Sequence, residues 1–412
     1  MSWTSGGHPR APYGMPAVPP PWRLRTGLGG ILFVVLVGLA LVLGGLVIAL
    51  VLLAAGRPDA IVVGLVLAAL PVGPLIACYL WLDRYEPEPK VFLVLAFGWG
   101  ALVATAGALL VQTVNQAITG DGEVTSAVLV APITEEAGKG LFVVLLLWLG
   151  RHVLDGLIDG LVYAGVVGVG FAFTENILYY AGAYAGGPGF GQGGAEAAAG
   201  LFVFRGIFSP FAHPLFTSMI GIGVGIAVAT RRRSLRFVAP LVGYLAAVCL
   251  HAAWNGSAFI DGGRLFLPTY LFAMVPGFLV VVGLAMWFRV REGRMLNRSM
   301  VDLAHRGYLH PSELAWLTGV PARRTARAQA ARWGGPGAAE VMRDYQEQAI
   351  QLATLHNRVL RGTAPPDYAY RGAAMAQRLG ALRSHVAQPP RPPTGWNQRA
   401  SAATSQQAGG SR

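Results

Sequence analysis

The chain has 412 residues, 54% of them hydrophobic and 13% charged, with a mean hydropathy of +0.51. Those values exclude an ordinary soluble domain, in which about a quarter of residues are charged. The formal charge of +12 is concentrated: residues 291–412 hold 17 Arg against seven Asp plus Glu. A basic tail behind the last apolar run points to the anionic inner leaflet of a membrane, and no nucleic-acid partner is expected.

Residues 1–27 are rich in Pro and Gly without apolar periodicity and are expected to form a disordered cytoplasmic N-terminus. They set the first apolar run too far along the chain for an ordinary cleaved signal peptide, so that run reads as a retained anchor. Eight spans are expected at about 28–55, 60–82, 91–113, 124–149, 154–182, 200–230, 237–259 and 268–290. The fold class is therefore all-α, a polytopic membrane bundle over residues 28–290. Arg10, Arg23 and Arg25 precede the first span, and Arg84 and Lys90 follow the second. Arg151 follows the fourth, Arg231, Arg232, Arg233 and Arg236 the sixth, and Arg289, Arg291 and Arg294 the eighth. The alternate connections carry only Arg57 and Arg264, which puts both termini in the cytoplasm of a plasma-membrane protein.

Glycines stud the fifth and sixth spans (Gly165, Gly168, Gly170; Gly221, Gly223, Gly225), where small residues let helices approach closely in lipid. Residues 183–199 read as a flexible extracytoplasmic loop. Cys78 and Cys249 fall in apolar runs and are expected to be buried thiols outside any disulfide. Residues 291–387 form a basic cytosolic helical region. Val341, Tyr345, Leu352 and Leu355 make a helical stripe there, which Gly334 to Gly337 interrupts. Residues 388–412, with their Pro-rich run, are expected to be disordered.

Charged groups inside the apolar spans carry the functional signal, because each is expensive at bilayer depth. Glu135, Glu136 and Lys139 stand mid-span, and at i,i+3 and i,i+4 both acids reach the one amine. Lys139 is one of only two lysines in the chain. The fifth span adds Asp155, Asp159, Glu175 and Asn176, the sixth Arg205 and His213, and the seventh His251 and Asn255 at i,i+4. With the topology above, the three glutamates and two histidines fall within about 10 Å of one another in depth. Asp155 and Asp159 sit near the cytoplasmic mouth.

Glutamates and histidines without a nucleophile-and-base signature suggest water activation: a carboxylate takes a proton from water, and an imidazole or amide donor stabilises the oxyanion. The same residues could instead hold a metal, and carboxylate with imidazole suits zinc. No HExxH is present, and neither Ser209 nor Ser218 has a nucleophile context. Glu136 is assigned the water-activating base, with Glu135 and Lys139 setting its charge. His213 and His251 with Asn255 are the metal or oxyanion groups, and Glu175 is a second acid or ligand.

These stretches together resemble the PrsW family of intramembrane proteases, related to CAAX-processing and bacteriocin-processing membrane enzymes. The resemblance rests on DRYEPEP at Asp83 to Pro89, EEAGK at Glu135 to Lys139, and DGLVYAGVVGVGFAFTEN at Asp159 to Asn176. It continues in HPLFTSMIGIGVG at His213 to Gly225 and HAAWN at His251 to Asn255, and covers about residues 60 to 290. It implies a helical bundle that cleaves membrane-anchored regulatory proteins through Glu135, Glu136, Glu175, His213 and His251, supported by Lys139, Asp159, Asn176 and Asn255. The family is described as both metallo- and glutamate-type, and the implied metal ligands are Glu175, His213 and His251. A non-catalytic scaffold and an ion-coupled transporter are the competing readings. A transporter should show inverted repeats, which this chain lacks, and a scaffold does not need acids on two of the polar spans.

The arginine asymmetry is directly testable. A reporter that fluoresces only in the cytoplasm should light up when fused after Arg291 and stay dark within Gly186 to Gly194. The reverse pattern would refute the topology.

Overall fold

The computed structural model describes residues 28–386 apart from 121, 150–153, 155, 188 and 189. The expected disordered termini (1–27 and 388–412) and Asp155 therefore lie outside the described residues. Within them the chain is helical, and the sole β feature is one bridge between Gly187 and Gly191. That is what lipid demands, since a helix satisfies its own backbone polar groups.

The bundle comprises α1 (Leu28–Ala54), α2 (Pro58–Leu82), α3 (Lys90–Thr119), α4 (Ala131–Leu149) and α5 (Leu157–Ala185). It continues with α6 (Ala195–Phe202), α7 (Ala212–Ala229), α8 (Arg233–Phe259) and α9 (Val275–His305). Two further helices follow, α10 (Val320–Arg361) and α11 (Tyr368–Arg383). Seven segments of the described chain are long and apolar enough to cross a membrane. The expected fourth span is helical from Glu123 to Leu149 but is not among the seven, because Glu135, Glu136 and Lys139 offset its apolar residues. Eight expected spans thus resolve into seven apolar ones and one charged helix.

Helix α5 is the axis of the bundle: 89% of its most apolar stretch is buried, against 17% for the first span and 6% for the last. Whereas the first span, no less apolar, faces mostly outward, the sides of α5 are covered by neighbouring helices. Glycine makes its contacts possible. A Cβ on Gly160 would stand 2.2 Å from the Gly221 carbonyl oxygen, and one on Gly170 would stand 2.1 Å from that of Phe97. Helices α7 and α3 therefore meet α5 backbone to backbone, as small residues allow in lipid. Gly223 and Gly243 bring α8 equally close to α7.

Several expectations are corrected. The sixth span is not one helix: α6 runs into a π-helical turn at Val203–Phe208, and the chain breaks over residues 209–211 before α7 begins. Pro210 lies in that break, where its missing N–H does no harm. The expected loop 183–199 narrows to about 186–194, since α5 extends to Ala185 and α6 starts at Ala195. Cys78 and Cys249 are free but exposed on the outer surface of the bundle, where an apolar setting means lipid rather than core. The last bundle helix does not stop near residue 290 but continues to His305.

Residues 296–386 build a second core around Met300, Trp316, Tyr345 and Leu379. The expected stripe holds, with Tyr345, Leu352 and Leu355 buried, and the interruption falls at Gly335, whose φ is 74°. This helical unit docks on the 83–89 connection. Arg323 Nη1 donates to the Tyr85 carbonyl at 2.9 Å, and Thr354 Oγ1 donates to Glu86 Oε2 at 2.7 Å. Tyr163 on α5 donates to Glu88 Oε2 at 2.7 Å, which ties the same connection to the bundle axis. Burial pushes the Asp83 carboxyl well above its usual range, although it accepts the Glu88 amide.

Candidate active site

The three charged residues of α4 point into the bundle, with Lys139 and Glu136 fully buried and Glu135 nearly so. The Lys139 ammonium lies 2.8 Å from Glu136 Oε1, 3.4 Å from Glu135 Oε2 and 3.1 Å from His213 Nδ1 on α7. It also sits 3.6 Å from the centre of the Phe171 ring of α5, a cation–π contact. An ammonium has three N–H bonds and no lone pair. Lys139 therefore has one N–H for each acceptor, His213 Nδ1 accepts, and His213 Nε2 carries the proton. That Nε2 donates to Glu175 Oε2 on α5 at 2.7 Å.

Glu175 has a cation of its own. Arg205, from the π-helical turn, donates Nη2 to Glu175 Oε2 and Nε to Asn176 Oδ1, and its guanidinium lies 4.0 Å over the Tyr179 ring. On the other side, His251 of α8 donates Nδ1–H to Glu136 Oε1 at 3.0 Å. This tautomer follows from the acceptor-only carboxylate it faces. The second Glu136 oxygen accepts from Thr217 Oγ1 at 3.1 Å. The result is two matched units, each a histidine backed by a carboxylate that is backed by a cation. Glu136 and Lys139 support His251, and Glu175 and Arg205 support His213.

Glu135 stands between the two units with looser contacts. Gln112 Nε2 reaches its Oε1 at 3.3 Å, and His251 Nε2 lies 3.8 Å from its Oε2, beyond hydrogen-bond range. Three carboxylates against two fixed cations leave one uncompensated negative charge when both imidazoles are neutral, and burial makes that charge expensive. The cluster is thus built to accept a proton or a metal cation.

The donor set agrees. Ligand atoms of Glu135, His213 and His251 lie within 4.8 Å of one another, and carboxylate with imidazole is a zinc-type set. His251 is already oriented for such a role, its Nδ1 fixed by Glu136 so that the Nε2 lone pair faces Glu135. His213 fits on one condition: both its ring nitrogens are engaged, so it must release Glu175 or Lys139 to bind an ion. The trio includes Glu135 rather than Glu175, because Glu175 stands behind His213.

The five expected site residues therefore converge, together with Lys139 and Asn176. Two others do not. The Asn255 amide donates to the Ala127 carbonyl at 2.8 Å, in the π-helical turn before α4. Asp159 accepts the Gly156 amide at 2.8 Å at the start of α5, sixteen residues before Glu175 and so about 24 Å along the helix. Ser209 and Ser218 donate to backbone carbonyls and offer no nucleophile. Three partners were missed as site residues: Gln112, Thr217 and Arg205. Arg205 had a signal, a guanidinium in an apolar span, and Thr217 lies one turn from His213. Arg205, Asn176 and His213 line a tight cleft beside the helix interruption at residues 209–211, with room for about one water.

Residues 88–282 match a family described as PrsW family intramembrane metalloprotease. The chain is similar to a protein named Protease PrsW from Geobacillus kaustophilus (strain HTA426), at 30% identity over 176 residues. That alignment covers 41% of this chain and 70% of the relative. No solved structure matches.

Proposed function

The chain belongs to the PrsW family of intramembrane proteases, and from that premise we propose that it cleaves membrane-anchored regulatory proteins with Glu135 as the water-activating base. The observation that carries this reading is the pair of acceptors, Glu135 Oε2 and His251 Nε2, 3.8 Å apart and not bonded to each other. Two acceptors at that separation suit the two hydrogens of one water, whose oxygen lone pairs then face away from both. The base assigned from sequence, Glu136, is less suited. Its oxygens already take Lys139, His251 and Thr217, and it has no exposed surface. Its role is to hold the His251 tautomer.

In the proposed reaction Glu135 takes a proton from water as the oxygen bonds to the scissile carbonyl carbon. The C–N bond then breaks, and Glu135 returns that proton to the leaving nitrogen. Arg205 pairs with Glu175, and Lys139 lies closer to Glu136 (2.8 Å) than to Glu135 (3.4 Å), so Glu135 is the least firmly held of the three acids and the one proposed to exchange protons. A metal held by Glu135, His213 and His251 would take the Glu135 and His251 atoms that otherwise hold the water, and would supply Lewis-acid polarisation in place of proton transfer to Glu135. The substrate is proposed to enter beside Arg205, where the helix is interrupted between α6 and α7. The arginine distribution supports a plasma-membrane orientation with both termini cytoplasmic and the basic C-terminal unit against the inner leaflet.

Glu135→Gln should lower turnover of a tagged single-span substrate by at least about 10²-fold, the usual contribution of a general base, with thermal stability kept. Glu136→Gln should lose both activity and stability, because it disturbs three buried partners. A Glu135→Gln protein with full activity would sink the assignment.

Arg205 acts through Glu175. Arg205→Gln and Glu175→Gln should each reduce kcat, and the double variant should lose little more than either alone, as residues in one network do. Additive losses would show that Arg205 works independently.

A further inference from the structure

Polar side chains are expensive in lipid, yet the last turns of α3 carry Gln112, Thr113, Asn115, Gln116 and Thr119. At about 100° per residue, Gln112, Asn115, Gln116 and Thr119 fall within one sector about 100° wide. The exposed apolar residues Leu110, Val114 and Ile118 lie on the other side of the same helix. Thr113 falls outside the sector and donates its hydroxyl to the Leu109 carbonyl of its own helix at 2.7 Å, as a hydroxyl in an apolar setting does. One side of α3 is thus fit for lipid, and the other is a polar stripe.

The stripe leads to the site. Its inner end is Gln112, whose Nε2 lies 3.3 Å from Glu135 Oε1 on α4. Its outer end is Thr119, the last residue of α3, seven residues or about 10 Å further along the helix. Gln112 and Asn115 are half-buried, while Gln116 and Thr119 are exposed, so the stripe grades from the bundle surface down to the acid. Glu135 keeps 8% of its side chain exposed, whereas Glu136 and Lys139 keep none. A primary amide has two N–H bonds and a carbonyl. With one N–H given to Glu135, the Gln112 amide is suited to hold a water beside the carboxylate.

We propose that water reaches Glu135 along this stripe from the Thr119 end of α3, with Gln112 as the positioning residue that presents it to the carboxylate. This path rests on the reading of Glu135 as the base that activates water. It separates the entry of water, between α3 and α4, from that of the substrate beside Arg205.

The test labels single cysteines in the full chain, in a Cys78→Ser/Cys249→Ser background, with a membrane-impermeant maleimide added outside bacterial spheroplasts. Gln112→Cys and Asn115→Cys should react at least about tenfold faster than Leu110→Cys and Val114→Cys, because the reacting thiolate is suppressed in apolar surroundings. Equal rates at all four positions would mean that the end of α3 simply stands out of the bilayer. No labelling of Gln112→Cys would mean that water from that side stops short of it. Either result overturns the path. Turnover of a tagged single-span substrate gives the second readout. Gln112→Leu should lower kcat about tenfold with KM kept, as loss of one hydrogen bond to a charged group does, and Thr113→Val should change neither. An unchanged kcat in Gln112→Leu would overturn the role of Gln112. A parent protein that cleaves nothing would overturn the peptidase reading, and the labelling pattern would still decide the path.

Discussion

An ammonium has three N–H bonds, and Lys139 aims them at three acceptors on two helices with no water-exposed surface of its own. Everything near it is constrained by that choice. The third N–H fixes the His213 tautomer, which sends a proton towards Glu175, which in turn requires Arg205. The first N–H, shared at Glu136 with His251, fixes the second histidine. Removing one partner from such a buried network costs about 3–5 kcal/mol, whereas replacing the whole network with apolar residues is often neutral or stabilising. Stability alone therefore does not account for charges on this scale at mid-bundle. Chemistry does.

The scaffold serves that network by bringing backbones close enough for side chains on four helices to meet. Glycine contacts between α5 and both α3 and α7 set those distances. The π-helical turns have a local role as well, because a widened turn moves a carbonyl or a side chain off the regular helical track. One presents the Ala127 carbonyl to Asn255, and another carries Arg205 to Glu175 before the chain breaks. The cleft thus opens where the helix is least regular.

Much of this was legible in the chain itself. Spacing alone predicts that Glu135 and Glu136 both reach Lys139, because helical geometry fixes i,i+3 and i,i+4 neighbours. Depth counting predicts that Glu175, His213 and His251 share a level. It does not predict which carboxylate backs which histidine, since that depends on helix rotation and crossing, so spacing does not separate Glu136 from Glu135 as the proposed base. The bond from Asn255 to the Ala127 carbonyl escapes spacing for a related reason: sharing a face with His251 says nothing about what lies one turn further on. The break before His213 was signalled by Ser209 and Pro210 but hidden by the apolar residues around them. Cys78 and Cys249 show the remaining ambiguity, because an apolar helix looks the same to sequence whether a residue faces protein or lipid.

Glu135 lies twelve residues into the helical stretch that begins at Glu123, and His251 lies eight residues before the end of α8. That puts the proposed site about 12–18 Å below the face bearing the 186–194 connection. The most direct measurement is mass spectrometry of the fragments released from a tagged single-span substrate by the reconstituted protein. The cut should fall within the half of the substrate's span nearest the 186–194 connection, or just outside it. A cut at the opposite, arginine-rich boundary would contradict the account.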